Sequence, residues 1–153
     1  MTNNFVLISI MNAINLDKVS VLKAYKLVDK KVTQDDVEDI LREEKDEKFI
    51  LLSDEGFELF LNGLIAFKRG PSDKKAKKQK INFSNNIILK KLKIALDLKD
   101  EDIIEIFSND GLEITKSQLT AYFRRDGHIN YRKCSDSLLK RFINGCKGYQ
   151  NKS

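Results

Sequence analysis

Residues 2–70 of this 153-residue chain align with residues 84–152 at one constant offset of 82, without a gap. Asn3-Asn4 falls on Asn85-Asn86, Leu7 on Leu89, Ala13 on Ala95 and Leu16 on Leu98; further on, Thr33 meets Thr115 and Arg42 meets Arg124. Ser53-Asp54 then meets Ser135-Asp136, Phe60 meets Phe142, and Asn62-Gly63 meets Asn144-Gly145. A duplication of this extent requires one fold that two different sequences can both adopt, so a proposed element must make sense twice.

Apolar type is kept where identity is lost: Val6 with Ile88, Ile10 with Leu92, Val21-Leu22 with Ile103-Ile104, Tyr25 with Phe107, Val37 with Leu119. Leu89, Leu92 and Leu96, then Ile103, Ile104 and Phe107, recur at three and four residues, which is the stripe of an amphipathic helix. One proline, no tryptophan and a composition 41% apolar and 33% charged agree with a helical chain rather than a sandwich or barrel. The expected fold is all-α: two tandem units of roughly four helices, helix-turn-helix-like, over residues 1–70 and 84–153, joined by a lysine-rich linker over 71–83. In the second unit the helices are expected at 86–98, 100–108, 115–124 and 135–149.

Local chemistry supports those boundaries. Thr115-Lys116-Ser117-Gln118 fits a capping box, in which the threonine hydroxyl accepts the N–H of residue 118 and the glutamine reaches back; Thr33 to Asp36 is its counterpart. Asp100-Glu101-Asp102 puts negative charge at a helix start, and Gly111 can end that helix in a left-handed conformation. Asn62-Gly63 and Asn144-Gly145 lie inside apolar runs, although this dipeptide usually marks a turn. Either the fourth helix bends or ends there, or the glycine permits a close helix crossing while the asparagine bonds a neighbouring helix end; close packing is the favoured reading.

The chain resembles the uncharacterised bacterial YehS family, named for a duplicated domain of unknown function. The residues that carry the resemblance are Phe60 to Ile65 with Lys68-Arg69-Gly70, Asn85-Asn86 through Leu89-Lys90-Lys91-Leu92-Lys93 to Leu98, and Cys134-Ser135-Asp136. It implies the duplicated helical architecture and brings no established activity. The first copy departs from the family pattern, with Ile8-Ser9-Ile10-Met11 in place of basic residues, Ile40 in place of an aromatic and Leu52 in place of a cysteine.

Charge divides the two copies. The net charge is +5, yet residues 1–70 hold 10 basic and 13 acidic side chains, against five and one in residues 71–83 and 13 and nine in residues 84–153. Lys74, Lys75, Lys77, Lys78 and Lys80 of the linker precede Lys90, Lys91 and Lys93, then Lys116, Arg124, Arg125, Arg132 and Lys133. Such a distribution suits phosphate binding, although a charged linker is also simply a solvated one. In a helix-turn-helix docking, Ser117 and Gln118 would meet base edges. The expected function is therefore nucleic-acid binding, DNA foremost, through the linker and second copy. The alternative is a non-catalytic protein-interaction module whose acidic first copy engages a basic partner.

Enzymatic signatures are missing from the sequence. The one histidine, His128, lies in a loop with Asp126; a Cys134, His128, Asp126 nucleophilic set is conceivable but is discounted because Leu52 replaces the cysteine in the other copy. Phosphate-cradling glycine loops and metal-protease motifs are absent. Cys134 and Cys146, without C-x-x-C spacing, read as reduced thiols, Cys146 as a small core residue. No cofactor, metal or membrane partner is expected, and the absence of a signal peptide or spanning segment suggests the cytoplasm.

Overall fold

The computed structural model describes residues 1–28, 31–70 and 82–150. Eight helices are found among them, α1 (Asn3–Ile14), α2 (Lys18–Leu27), α3 (Gln34–Ile40), α4 (Asp54–Arg69), α5 (Asn85–Ala95), α6 (Asp100–Asn109), α7 (Lys116–Phe123) and α8 (Asp136–Gln150), and no strand. All four helix starts in the first copy reappear 82 residues later, so the repeat extends to the residue at which each helix begins. The linker residues Lys74, Lys75, Lys77, Lys78 and Lys80 lie outside the described residues.

Capping explains those starts. Thr33 and Thr115 each accept from the N–H three residues on, at 3.1 Å, while Asp36 and Gln118 accept from the threonine N–H at 2.9 Å. Gly111, at φ +80°, ends α6 with the Leu112 N–H returning to the Phe107 carbonyl at 2.9 Å. The first helix of the second copy is shorter than expected. It stops at Ala95 because Asp97 turns left-handed, as Asn15 does at the matching place, letting the Leu98 N–H reach the Lys93 carbonyl.

The copies share one core, and they share it reciprocally. Within each copy the second helix packs on the fourth, α2 on α4 and α6 on α8, but the first helix packs mainly on the other copy: α1 on α8 and α5 on α4. Ile10, Ala13 and Ile14 of α1 converge with Leu92 and Leu96 around α5 and with Ile143 and Cys146 of α8. The arrangement is that of a symmetric dimer made within one chain, where each half presents the same patch to the other. Among the described residues no single helix is long and apolar enough to cross a membrane; α1 and α2 form a bent pair at 111°.

The Asn-Gly pairs mark the closest approaches in this core. Neither α4 nor α8 bends off or ends there. A Cβ at Gly63 would overlap the carbonyl oxygen of Ala24 on α2, and one at Gly145 the carbonyl oxygen of Ile106 on α6. Ala24 and Ile106 are themselves 82 residues apart, so one helix crossing is built twice. Contrary to the expectation that it would bond a neighbouring helix end, Asn62 accepts at its Oδ1 from Lys91 Nζ of the other copy at 2.6 Å. Asn144 instead borders a pocket of about 90 Å³ between α1 and α8, where Ser9 stands in the place of Lys91.

Candidate nucleic-acid interface

The second copy carries a cleft of about 680 Å³ whose walls include Lys90, Arg124, Arg125, Tyr122, Tyr131 and Asp126. Its geometry begins with Asn86, buried in the first turn of α5. The Asn86 amide donates to the carbonyls of Tyr122 at 3.0 Å and Arg132 at 2.8 Å, while its Oδ1 accepts from the Cys134 N–H at 2.9 Å. One side chain thus holds both ends of the loop that carries the arginines. Asn4 does the same in the first copy, donating to Ile40 and Ile50 and accepting from Leu52. The neighbouring Asn85 donates to the Cys134 carbonyl and to Asp136, tying α5 to the start of α8.

Between those anchors the chain leaves α7 abruptly, because Arg124 is extended (φ −70°, ψ 158°). Two turns follow, closed by His128 N–H to the Arg125 carbonyl at 3.0 Å and Tyr131 N–H to the His128 carbonyl at 2.9 Å. They return Tyr131 to the cleft, whose lining also includes Ser84, the N-cap of α5. Burial first, and the Asp126 carboxylate second, raise the Tyr131 phenol above its ordinary value, so it keeps its proton at neutral pH. Among the described residues no carboxylate pairs with Lys90, Arg124 or Arg125, and all three are exposed.

The cations expected to act together are divided by the fold. Lys90, Arg124 and Arg125 meet in the cleft. Arg132 stacks over Tyr122 at 5.9 Å, on the cleft's margin. Lys93 is occupied, bridging to Asp100 at 3.0 Å and lying 4.7 Å above the Phe123 ring. Lys91 is committed to Asn62 between α4 and α5, where burial lowers its pKa, against the attraction of Glu58. Lys116, Ser117 and Gln118 are exposed at the far end of α7, about 10 Å from Phe123 at 1.5 Å per residue. Gln118 has its side-chain oxygen engaged by the Thr115 N–H, which removes the acceptor needed for bidentate pairing with adenine. The α6–α7 connection, residues 110–115, is also longer than a helix-turn-helix turn. Lys133 is exposed beyond Arg132.

The first copy has lost this chemistry at the matching positions. Lys90 corresponds to Ile8, Arg125 to Glu43, Asp126 to Glu44 and Tyr131 to Phe49. Arg42, the counterpart of Arg124, is held by Asp39 at 2.9 Å and Asp46 at 3.4 Å. The scaffold is common to both copies, and at these matching positions only the second carries cations without an ion partner among the described residues.

Cys134, His128 and Asp126 do not assemble a nucleophile and base. The Cys134 thiol is buried and pushed up to about 12 by burial and by Asp136, and its Sγ lies 3.6 Å from the Ser135 carbonyl. His128 Nδ1 accepts from the Asn130 N–H at 3.0 Å, a bond within its own turn. Cys146 is a buried core residue, its thiol likewise pushed up to about 12. Among the described residues no group of three His, Cys, Asp or Glu is placed to hold a metal ion.

What sequence reasoning missed was Asn86. The repeated Asn-Asn pair was its signal, since an amide kept at two equivalent places in an apolar stripe needs buried polar partners. Comparison with known proteins accords with the duplication. The family described as "Protein of unknown function (DUF1456)" matches the chain twice, over residues 3–70 and 85–150. The chain is 32% identical over 152 residues to the "Uncharacterized protein YehS" of Escherichia coli (strain K12), covering 99% of this chain and 97% of that protein. No solved structure matches it.

Proposed function

Given that the chain belongs to the DUF1456 family, to which both its copies match, we propose that it is a nucleic-acid-binding protein of the cytoplasm, DNA foremost, and that it works by binding rather than by catalysis. One observation carries the reading: Lys90, Arg124 and Arg125 face one cleft with no carboxylate partner among the described residues, while the first copy offers Ile8, an ion-paired Arg42 and Glu43 at the same places. Three unpaired cations, Lys90 on α5 and two arginines on the braced loop, fit backbone phosphates, whose neutralisation releases counterions. The linker lysines would extend the same field. Base readout by α7 is not part of the proposal, because Gln118 is spent on its cap.

The test is fluorescence anisotropy of a labelled oligonucleotide with the full chain over a series of salt concentrations. Replacing Lys90, Arg124 and Arg125 with glutamine is expected to flatten the log-log salt dependence on duplex DNA by about 2.7, at roughly 0.9 for each lost phosphate contact. An unchanged affinity and slope would remove the cleft from the reading.

A second reading rests on a different surface. In the first copy Ile50 and Leu51 are 45% and 65% exposed and directly follow in sequence the largely acidic stretch Glu43 to Glu47. Exposed apolar side chains beside acidic ones in the chain suit a basic protein partner. Stoichiometric recovery of such a partner from nuclease-treated lysate, lost on replacing Leu51 with aspartate, would favour it.

A further inference from the structure

We infer that the cleft of the second copy receives an unpaired nucleotide, so that this protein binds single-stranded nucleic acid in preference to duplex; this deepens the nucleic-acid reading and rests on it. Shape is the first reason. The cations are not spread along a ridge that could lie in a groove but line a concavity of about 680 Å³, a size typical of sites that enclose a small molecule. A duplex keeps its bases stacked, and drawing one out costs on the order of a hundredfold in affinity that a single strand does not lose.

The lining is the second reason. Tyr122, Phe123 and Tyr131 share the cleft with Lys90, Arg124 and Arg125, and rings interleaved with cations are how unpaired bases and their phosphates are held together. Tyr131 is half-buried next to Arg132, whose carbonyl Asn86 holds, and so presents its ring from a braced stretch of backbone. Asp126 is the third reason. A carboxylate among three cations weakens a site meant for phosphate alone, but it can accept from the exocyclic amine or ring N–H of a base whose pairing edge is free. The first copy, with Ile8, Glu43 and Phe49 at these positions, lacks the combination. The binding unit is therefore one nucleotide with its flanking phosphates, held by a single cleft per chain.

The experiment compares one labelled strand of about 16 nucleotides, as DNA and as RNA, with the duplex formed from the DNA strand and its complement, using the full chain at one salt concentration. The single strands are expected to bind at least tenfold more tightly than the duplex. Tyr131→Leu should weaken single-strand binding about tenfold and duplex binding by much less, whereas Arg124→Gln with Arg125→Gln should weaken both alike. Because the chain has no tryptophan and four tyrosines, quenching of tyrosine emission on binding reports stacking in the unaltered protein, whatever the stability of the variant. Equal or tighter duplex binding, or no quenching, overturns this inference and leaves the nucleic-acid reading standing. Binding to neither form at low salt overturns both.

Discussion

Replacing Gly145 with alanine sets two effects of known size against each other. Alanine is favoured over glycine in a helix interior by about 1 kcal/mol, so helix propensity alone predicts a more stable protein. The crossing of α8 over α6 predicts the reverse, because the new Cβ would overlap the Ile106 carbonyl and stand 2.9 Å from Ile106 Cγ2. Backbone cannot yield as a flexible side chain does, so the helices must part by roughly an ångström. Ile103, Ile106, Phe107, Leu139 and Phe142, all 0% exposed, would lose contacts in doing so. Overpacking of this kind costs about 1–3 kcal/mol, and the parting adds lost contact, so the net expectation is a loss of about 2 kcal/mol. For a chain of this length that lowers Tm by roughly 4–8 °C.

Gly148, three residues further along the same helix, supplies the control. Its Cβ would meet Asn109 at 3.7–3.9 Å, ordinary contact distances, so Gly148→Ala should raise Tm by about 2–4 °C through propensity alone. Thermal melts followed by far-UV circular dichroism distinguish the signs. A Gly145→Ala protein as stable as the wild type would refute the close crossing, and with it the same account of Gly63 over Ala24.

The buried asparagine and the alkaline limit offer further checks. Asn86→Ala should cost about 2–4 kcal/mol, since it leaves the Cys134 N–H and the Tyr122 and Arg132 carbonyls without their partner; a loss under about 1 kcal/mol in urea titration, at unchanged m, would contradict its bracing role. Tyr25, Cys134 and Cys146 each have a folded pKa near 12 through burial, against 10.0 for the phenol and 9.0 for the thiols when unfolded. The native state then holds more protons than the unfolded state, so stability from these groups is complete below about pH 9 and falls as pH rises towards 12. Melting temperatures that stay level from pH 9 to 11 would count against this burial. The same thiols should resist an aromatic disulfide reagent at neutral pH until urea is added.

Legibility in the sequence followed distance along the chain. Helix starts at Thr33 and Thr115 could be read because a capping box spans three residues. The crossing at Gly63 and Gly145 was legible in kind, since a glycine kept twice within an apolar helix needs a steric reason, but its partners, Ala24 and Ile106, were not. The contacts of Lys91 and Lys93 were not legible for a related reason. Charge counting treats each lysine alike, whereas Lys91 meets Asn62 29 residues away and Lys93 is drawn down by Asp100 and Phe123.

The sequence by itself determined that the chain is a duplicated helical protein, because helix periodicity, caps and a gap-free offset are local properties that recur within a few residues. It also determined that basic charge gathers in the second half. Only the tertiary structure decided that each first helix packs on the opposite copy, which makes the halves one body, and that Asn86 gathers Lys90, Arg124, Arg125 and Tyr131 around a single cleft. The reason lies in how these contacts form. A stripe of leucines specifies that a face must be buried but not against which of two equivalent partners, and a buried amide specifies that it needs hydrogen bonds but not which carbonyls 36 and 46 residues away will supply them.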